Sequence, residues 1–483
     1  MKKQEKTDEK GVNATKLDNF SEWYTQVIQK AELMEYTKVS GCMVIRPYAY
    51  EIWENAQAFF DKKIKKIGVK NASFPLLIPE ELLNREKEHV KGFSPEVAWV
   101  THGGNSKLPE RLAIRPTSET IIYDSYKKWV RSYNDLPILI NQWCNIVRWE
   151  FKHPVPFLRT REFLWQEGHT VHATKEEMDK LAMTILDIYV NMFEELYAIP
   201  VFKGLKSDKE KFAGADYTLS VETVFPNGKA VQAATSHGLG QNFSKSFGIK
   251  FTDENEKKQF AWQTSWGFST RSLGIMFGMH GDDKGLVMPP RIAPIQVVIV
   301  PIIFDKTKDV VMKKSSVIKK SLSSFLVELD GRGNYSAGWK FNQWEMKGVP
   351  LRIEVGPKDV ENKQVVIVRR DTGEKLSVKD KDVKKKVKEL LEVIQQNLFD
   401  KAKKFMNENI VETTDFDAMI SIIGAKKIAY VPWCGEADCE DWIKEKTGGA
   451  KSLNIPFNQK KIERKCVHCD NPAKFYAYFA KSY

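Results

Sequence analysis

Between Glu51 and Ile67 the apolar residues Ile52, Trp53, Ala56, Phe60, Ile64 and Ile67 recur at helical spacing, and the run stops at Gly68. That period predicts an amphipathic helix with one face in a core. The next apolar run, SFPLLIP from Ser73 to Pro79, is short and unbroken, which predicts a buried strand. From Trp143 to Thr170, WCNIVRWEFKHPVPFLRTREFLWQEGHT, two alternating runs flank a loop with two prolines, the pattern of a β-hairpin with a long connection. Alternation then puts Arg148 and Glu150 on one face of the first strand, and Arg161, Phe163 and Trp165 on one face of the second. After Pro289-Pro290 the run IQVVIVPIIF opens a new domain. It continues with a helix over 310–326, strands over 351–355 and 364–370, and a helix over 383–399, the alternation of a small α/β domain with a mixed sheet. Residues 1–18 are polar and aperiodic and read as a flexible tail. The remaining chain divides into 19–290, 291–400 and 401–483.

Composition sharpens this picture. A chain of 483 residues suits two to four domains, each able to bury its own core. No window nears the ~18 consecutive apolar residues of a membrane span, and the first ten residues lack the apolar stretch of a secretory signal, so a cytoplasmic protein without membrane contact is expected. The net charge of +12 is unevenly spread: between Pro301 and Ile410, 24 Lys+Arg stand against 16 Asp+Glu, a surplus of 8. A basic domain suits a polyanion. A run such as Lys384-Lys385-Lys386 by itself equally fits a solvated surface. Six cysteines are too few for a disulfide scaffold, but four of them form Cys434-x4-Cys439 and, 26 residues on, Cys466-x2-Cys469. Two close thiolate pairs suit a closed, structural Zn²⁺ site, with two pairs of buried free thiols as the alternative and His468 competing with Cys469 as a ligand.

Taken residue by residue, the candidate chemistry is ambiguous. Arg148 and Glu150 also fit a surface ion-pair ladder. Thr117 is a reasonable helix N-cap, Glu119 would sit in a first helical turn, and a lone His237 fits a structural hydrogen-bonder. The motifs resolve this together. RWE followed by FLRTREF resembles the second signature motif of class II aminoacyl-tRNA synthetases. SFPLLIP resembles the first, with Pro75 or Pro79 as its proline, and TSWGFSTRSLGIMFGMHGDDKGLVMPPRIAP the third, with Arg271 at a helix start. RPTSET (115–120), QAATSHGLGQNF (232–243) and GWKFNQWEMKGVPLRIEVGPKD narrow the resemblance to prolyl-tRNA synthetases, from Phe20 to Tyr483.

That resemblance implies an α+β and α/β multidomain protein: an antiparallel-sheet catalytic domain, an α/β anticodon-binding domain and a small C-terminal zinc-binding α+β domain. It implies ATP-dependent attachment of L-proline to tRNA(Pro) through a prolyl-adenylate, by a homodimer built on the first motif. The ATP site it implies has Arg148 on the α-phosphate, Arg159 on the phosphates, Glu150 and Thr160 holding the nucleotide, adenine between Phe163 and Arg271, and Gln232, Thr235 and Ser269 completing it. Mg²⁺ is expected to bridge the phosphates. Proline falls to Thr117 and Glu119, with Arg148, Trp165 and His237. Only about 90 residues separate the second and third motifs, too few for an editing insertion, as in the archaeal and eukaryotic type. For tRNA, Lys340, Glu345 and Arg352 are candidates to read anticodon bases, with a plain Glu345–Arg352 ion pair as the alternative. A catalytically silent tRNA-binding relative is disfavoured because Arg148, Arg159 and Arg271 are all present. A threonine enzyme is disfavoured because no Cys-His-His zinc set assembles around Cys144.

Overall fold

The computed structural model describes residues 11–89, 96–150 and 153–483. Its centre is an eight-stranded sheet in the order Ile455–Pro456, Phe202–Leu205, Tyr217–Val224, Ala230–Gly240, Trp262–Ser269, Glu162–His172, Ile138–Val147, Lys70–Asn71, antiparallel except at the last pair. Alternation along these strands sorts side chains onto two faces. One face packs under helices Pro47–Lys65 and Lys175–Asn191. There Phe60 stacks on Tyr189 at 5.2 Å and meets Phe268 edge-on at 5.0 Å, and Trp266 is fully enclosed. Gly168 makes room for that indole, since a Cβ there would lie 2.2 Å from the Trp266 ring. The opposite face carries the cleft described below.

The helix expected from Glu51 starts at Pro47, four residues earlier, where proline's fixed φ suits an N-terminal turn. The hairpin forms as expected, with Ile138–Val147 paired to Glu162–His172. Its first strand ends at Val147, so Arg148 and Glu150 lie beyond it, although the Arg148 amide still donates to the Arg161 carbonyl at 2.8 Å. Arg161 turns away from Phe163 and Trp165: it donates to the Ser40 carbonyl at 3.0 Å and covers the Trp149 ring at 4.5 Å. The connecting Phe151 and Lys152 lie outside the described residues.

SFPLLIP does not form a buried strand. Only Leu77–Pro79 is extended, in a small sheet with Ser106–Ile114 and Trp99–Gly103, and while Ile78 is buried, Leu76 and Leu77 are 41% and 37% exposed. Leu76 precedes the strand, and Leu77 alternates with the buried Ile78 in a small sheet covered on one side, which an apolar run cannot reveal. The first ten residues of the expected tail lie outside the described residues. Those that follow are tied down, with Lys16 Nζ donating to the carbonyls of Met279 (2.8 Å) and Gly281 (2.7 Å).

Residues after Pro290 form a five-stranded mixed sheet, in which Val297–Pro301 is parallel to Val327–Leu329 and Leu351–Val355 and the two remaining strands are antiparallel. The helix Val383–Asn409 runs through residue 400. Beyond it, Ile410–Glu412, Ile428–Trp433, Phe475–Ala480 and Lys451–Ser452 form a four-stranded sheet, and Ile455–Pro456 crosses over to extend the central sheet. Among the described residues no helix is long and apolar enough to cross a membrane.

Candidate active site

The cleft on the open face of the central sheet has a volume of about 450 Å³ and gathers residues from six segments. Strand Glu162–His172 contributes Phe163, Trp165, Glu167 and His169, every second residue, while Gln166 points through to Tyr189 on the other side. Strand Ala230–Gly240 contributes Thr235 and His237. Parity alone would send Gln232 to the core face with Ala234. The pairing instead jumps from Val221↔Ala234 to Glu222↔Gln232, so Ala233 is an extra residue, and Gln232 lines the cleft.

One end of the cleft is cationic. Arg148 Nε donates to the Pro116 carbonyl at 3.0 Å, and its guanidinium lies over Trp165 (5.4 Å) and Phe163 (5.7 Å). Arg271, first residue of helix Arg271–His280, donates from Nε to the Leu158 carbonyl at 3.0 Å. Burial and then the charges of Arg148 and Arg159 push the Arg271 pKa down to about 10. Burial also lowers Arg148, against the opposing pull of Glu150, Glu119 and Glu167. An arginine depressed by burial and by two neighbouring guanidiniums is the arrangement that an incoming polyphosphate relieves. Glu150 and Ser269 line this region, and the Ser269 hydroxyl accepts from the Arg271 amide at 3.2 Å. Arg159 and Thr160 come from the hairpin connection; Arg159 is exposed and near enough to act on Arg271, whereas Thr160 is buried.

The other end is enclosed and carboxylate-rich. Thr117 Oγ1 donates to Glu119, and burial, reinforced by Glu167, raises the Glu119 pKa above the ordinary range in spite of the nearby His169 charge. Glu167 accepts from the Ser118 amide (3.1 Å) and hydroxyl and from Gln142 Nε2 (3.1 Å), with His169 Nε2 at 3.0 Å. Burial would raise Glu167, but the His169 contact and these donors outweigh it and hold it low; burial would lower His169, but Glu167 and Glu119 outweigh it and raise it. The pair is therefore a buried ion pair. His237 is the opposite case: burial, with the His169 charge, brings it to about 3, so it is neutral, with Nδ1 2.9 Å from Thr218 Oγ1.

Two further groups lie elsewhere. The sulfurs of Cys434, Cys439, Cys466 and Cys469 all lie within 4.8 Å of one another, with Cys439–Cys466 at 3.6 Å and Cys434–Cys469 at 3.7 Å. Tetrahedral zinc with bonds of about 2.3 Å requires S···S edges of about 3.8 Å, so the four fit that ion. His468 Nδ1 is 3.2 Å from Cys439 Sγ, and its ring stacks on Trp442 at 3.5 Å. In the 291–400 region, Glu345 and Arg352 border one shallow depression but do not pair: Arg352 bonds Glu354 at 2.9 Å, and Glu345 faces Lys284 at 3.4 Å. Lys340 is 2% exposed, with Nζ on the Asp330 carbonyl at 3.1 Å, which takes it off the surface a base could reach.

Residues 100–280 match the tRNA synthetase class II core domain (G, H, P, S and T), 296–390 the anticodon binding domain and 416–483 the prolyl-tRNA synthetase C-terminal domain. The proline--tRNA ligase of Alkaliphilus oremlandii is 50% identical over the whole of both chains. The chain belongs to the prolyl-tRNA synthetase family. Its fold agrees with that of the prolyl-tRNA synthetase of Cryptosporidium parvum, solved with halofuginone and AMPPNP, at a TM-score of 0.94 and 50% identity over 98% of this chain and 100% of that one. The bifunctional glutamate/proline--tRNA ligase of Cricetulus griseus is 50% identical, and the chain spans 98% of itself but only about a third (33%) of that relative's length. The family's three-part organisation, a class II core, an anticodon domain and the family's own C-terminal domain, is thus the fold class that the motifs implied.

As a prolyl-tRNA synthetase core, the cleft contains residues that the motif reading missed: Glu167, His169, Glu210, Phe212 and Thr218. Glu167 and His169 were within reach, because they share strand parity with Phe163 and Trp165 in the same quoted segment. Glu210 and Phe212 sit on an irregular segment that carries no such signal. Between the second and third motifs the described elements are helix Lys175–Asn191 with its π-helical extension Met192–Leu196, three strands of the central sheet, the short helix Asn242–Phe247 and a small hairpin, with no separate domain among them.

Proposed function

We propose that the chain itself carries out ATP-dependent attachment of L-proline to tRNA(Pro), first forming prolyl-adenylate and then transferring the prolyl group to the tRNA 3′ end. The observation that carries this reading is the polarity of the cleft, with Arg271 depressed by burial and neighbouring arginines at one end and a carboxylate-lined pocket with a neutral His237 at the other. The amino acid's own carboxylate attacks the α-phosphorus of ATP and pyrophosphate leaves, so no protein nucleophile is needed and the residues position and neutralise. Arg148, between the two ends, meets the α-phosphate and the proline carboxylate. Arg159, Glu150 and Thr160 attend the nucleotide, Phe163 and Arg271 take the adenine ring between them, and Gln232, Thr235 and Ser269 offer polar contacts. Mg²⁺ would enter on the phosphates, where Glu150 is the cleft's carboxylate nearest the cationic end.

Thr117 and Glu119 receive the cationic secondary amine of proline, while Trp165 and the neutral ring of His237 wall its hydrocarbon ring. Measuring ATP–pyrophosphate exchange with each standard amino acid tests the assignment: proline should stand alone, and preference for threonine or histidine would overturn it.

We extend the reading to the other parts of the chain, taking 19–290 as catalytic, 291–400 as anticodon-binding and 401–483 as zinc-binding, in a cytoplasmic homodimer. The exposed Leu76, Leu77 and Trp99 around the first motif supply apolar surface for that dimer. The four cysteines would hold Zn²⁺ in a structural role. Anticodon reading falls to Glu345 and Arg352, which border the same depression on a basic domain. Glu345→Gln should raise KM for cognate tRNA and relax discrimination against altered anticodons, with tRNA-independent proline activation unchanged. Equal charging of cognate and anticodon-swapped tRNAs by the unmutated enzyme would exclude this role.

A further inference from the structure

The segment from Lys206 to Asp216 joins strands Phe202–Leu205 and Tyr217–Val224 without regular structure of its own, yet it forms one wall of the cleft through Glu210 and Phe212. The Phe212 ring lies 4.8 Å from that of His237, and its amide donates at 2.9 Å to Thr218 Oγ1, the same oxygen that meets His237 Nδ1. The shape of the cleft beside His237 therefore depends on where this segment is held.

It is held largely from outside the catalytic domain. Ser207 Oγ donates to Glu440 at 2.9 Å, and Glu440, 1% exposed, also accepts from the Ser452 amide at 3.1 Å and from its hydroxyl. Lys206 Nζ reaches the Leu453 carbonyl at 2.6 Å, Lys209 pairs with Asp441, and Glu210 pairs with Lys451 at 2.6 Å. Four polar anchors within five residues thus run from one irregular segment to one turn of helix Ala437–Lys446, to Lys451 in the strand Lys451–Ser452 and to Leu453 just beyond it. A buried carboxylate is costly unless its acceptors are filled; Ser452 fills one oxygen of Glu440 from within the C-terminal domain, and Ser207 fills the other only when the two domains are docked in this register.

We propose that the C-terminal domain positions the Lys206–Asp216 wall, with Glu440, Ser207 and Lys451 as positioning residues that set the fit of proline against Phe212 and His237. The inference rests on the reading of this cleft end as the proline pocket. None of the three residues touches substrate; each acts through Glu210 and Phe212.

The test compares Ser207→Ala/Lys451→Met, Glu440→Gln and the single, partly exposed Lys451→Met with the full-length wild-type chain. The expected result for the first two is a KM for proline raised about tenfold, with KM for ATP and kcat within about twofold of wild type, because the nucleotide end has no contact with these anchors. Lys451→Met should show a smaller rise in the same direction, and Lys451→Arg, which restores the pair with Glu210, should return KM to the wild-type value. Amide hydrogen exchange should quicken across 206–216 and not across Glu162–His172. An unchanged KM for proline, or parallel changes in proline, ATP and kcat, would overturn the proposal. Absence of proline-dependent exchange in the wild type would instead sink the functional reading, and the amide-exchange comparison would then still decide whether the anchors hold the segment.

Discussion

Arg148→Ala is expected to lower proline-dependent ATP–pyrophosphate exchange by at least about 100-fold, which corresponds to roughly 3 kcal/mol of barrier, the usual cost of removing one preorganised donor from developing charge. Three features make the effect large. The guanidinium is half-buried and aimed by a hydrogen bond to the Pro116 carbonyl, so little reorganisation is needed when charge develops at the α-phosphate. It lies over Trp165 and Phe163, which fix its plane. It also counters Glu119 and Glu167, so its loss leaves the amino-acid end of the cleft more negative and repels the proline carboxylate. Arg148→Lys separates these contributions: it keeps the charge but loses the planar fork, and it should fall between wild type and alanine. Both variants should melt and sediment like the wild type, and near-normal exchange by Arg148→Ala would strike the residue from the catalytic set.

Strand parity made much of this site legible. Once Phe163 and Trp165 were placed, the same two-residue period carried Glu167 and His169 into the cleft and Gln166 out of it. Gln232 shows the limit of parity, because the extra residue at Ala233 reverses the face and no feature of QAATS announces a bulge. Thr117 shows a different limit. A helix does begin there, at Glu119, but the Thr117 hydroxyl goes to Glu119 and the Ser118 side chain to Glu167, so the cap-like residues serve a buried carboxylate network rather than the helix end. Lys340 misled because a lysine in a basic domain reads as surface, while Asp330 draws it inside. Contacts between distant segments, such as Ser207 with Glu440, have no local pattern at all, since only docking creates them.

Chelation of the protein is expected to release about one zinc per chain and to loosen residues beyond about 415 before the catalytic core unfolds. The four sulfurs lie within 4.8 Å of one another, with two pairs already near the tetrahedral spacing; the contact with Cys439, and then the backbone amides of Cys469, His468 and Cys434, bring the Cys466 pKa down to about 4 against burial, while the Cys439 and Cys434 thiols are pushed up. Four thiolates crowded this closely repel one another unless a cation sits among them, so the metal's binding energy, on the order of 10 kcal/mol for structural sites, becomes folding energy of this small unit. The unit has little else to rely on: its core is a compact cluster around Trp433, Ile443 and Phe479 in which the cysteines themselves take part. Cys434→Ser should therefore reproduce the effect of chelation, with proteolytic cuts appearing first in the C-terminal domain. Because Cys439 directly precedes Glu440, loss of the metal should also reach the cleft as a higher KM for proline before any fall in the stability of the central sheet. Metal analysis that finds no zinc in the purified protein, together with a Cys434→Ser variant as resistant to protease as the wild type, would reject the assignment.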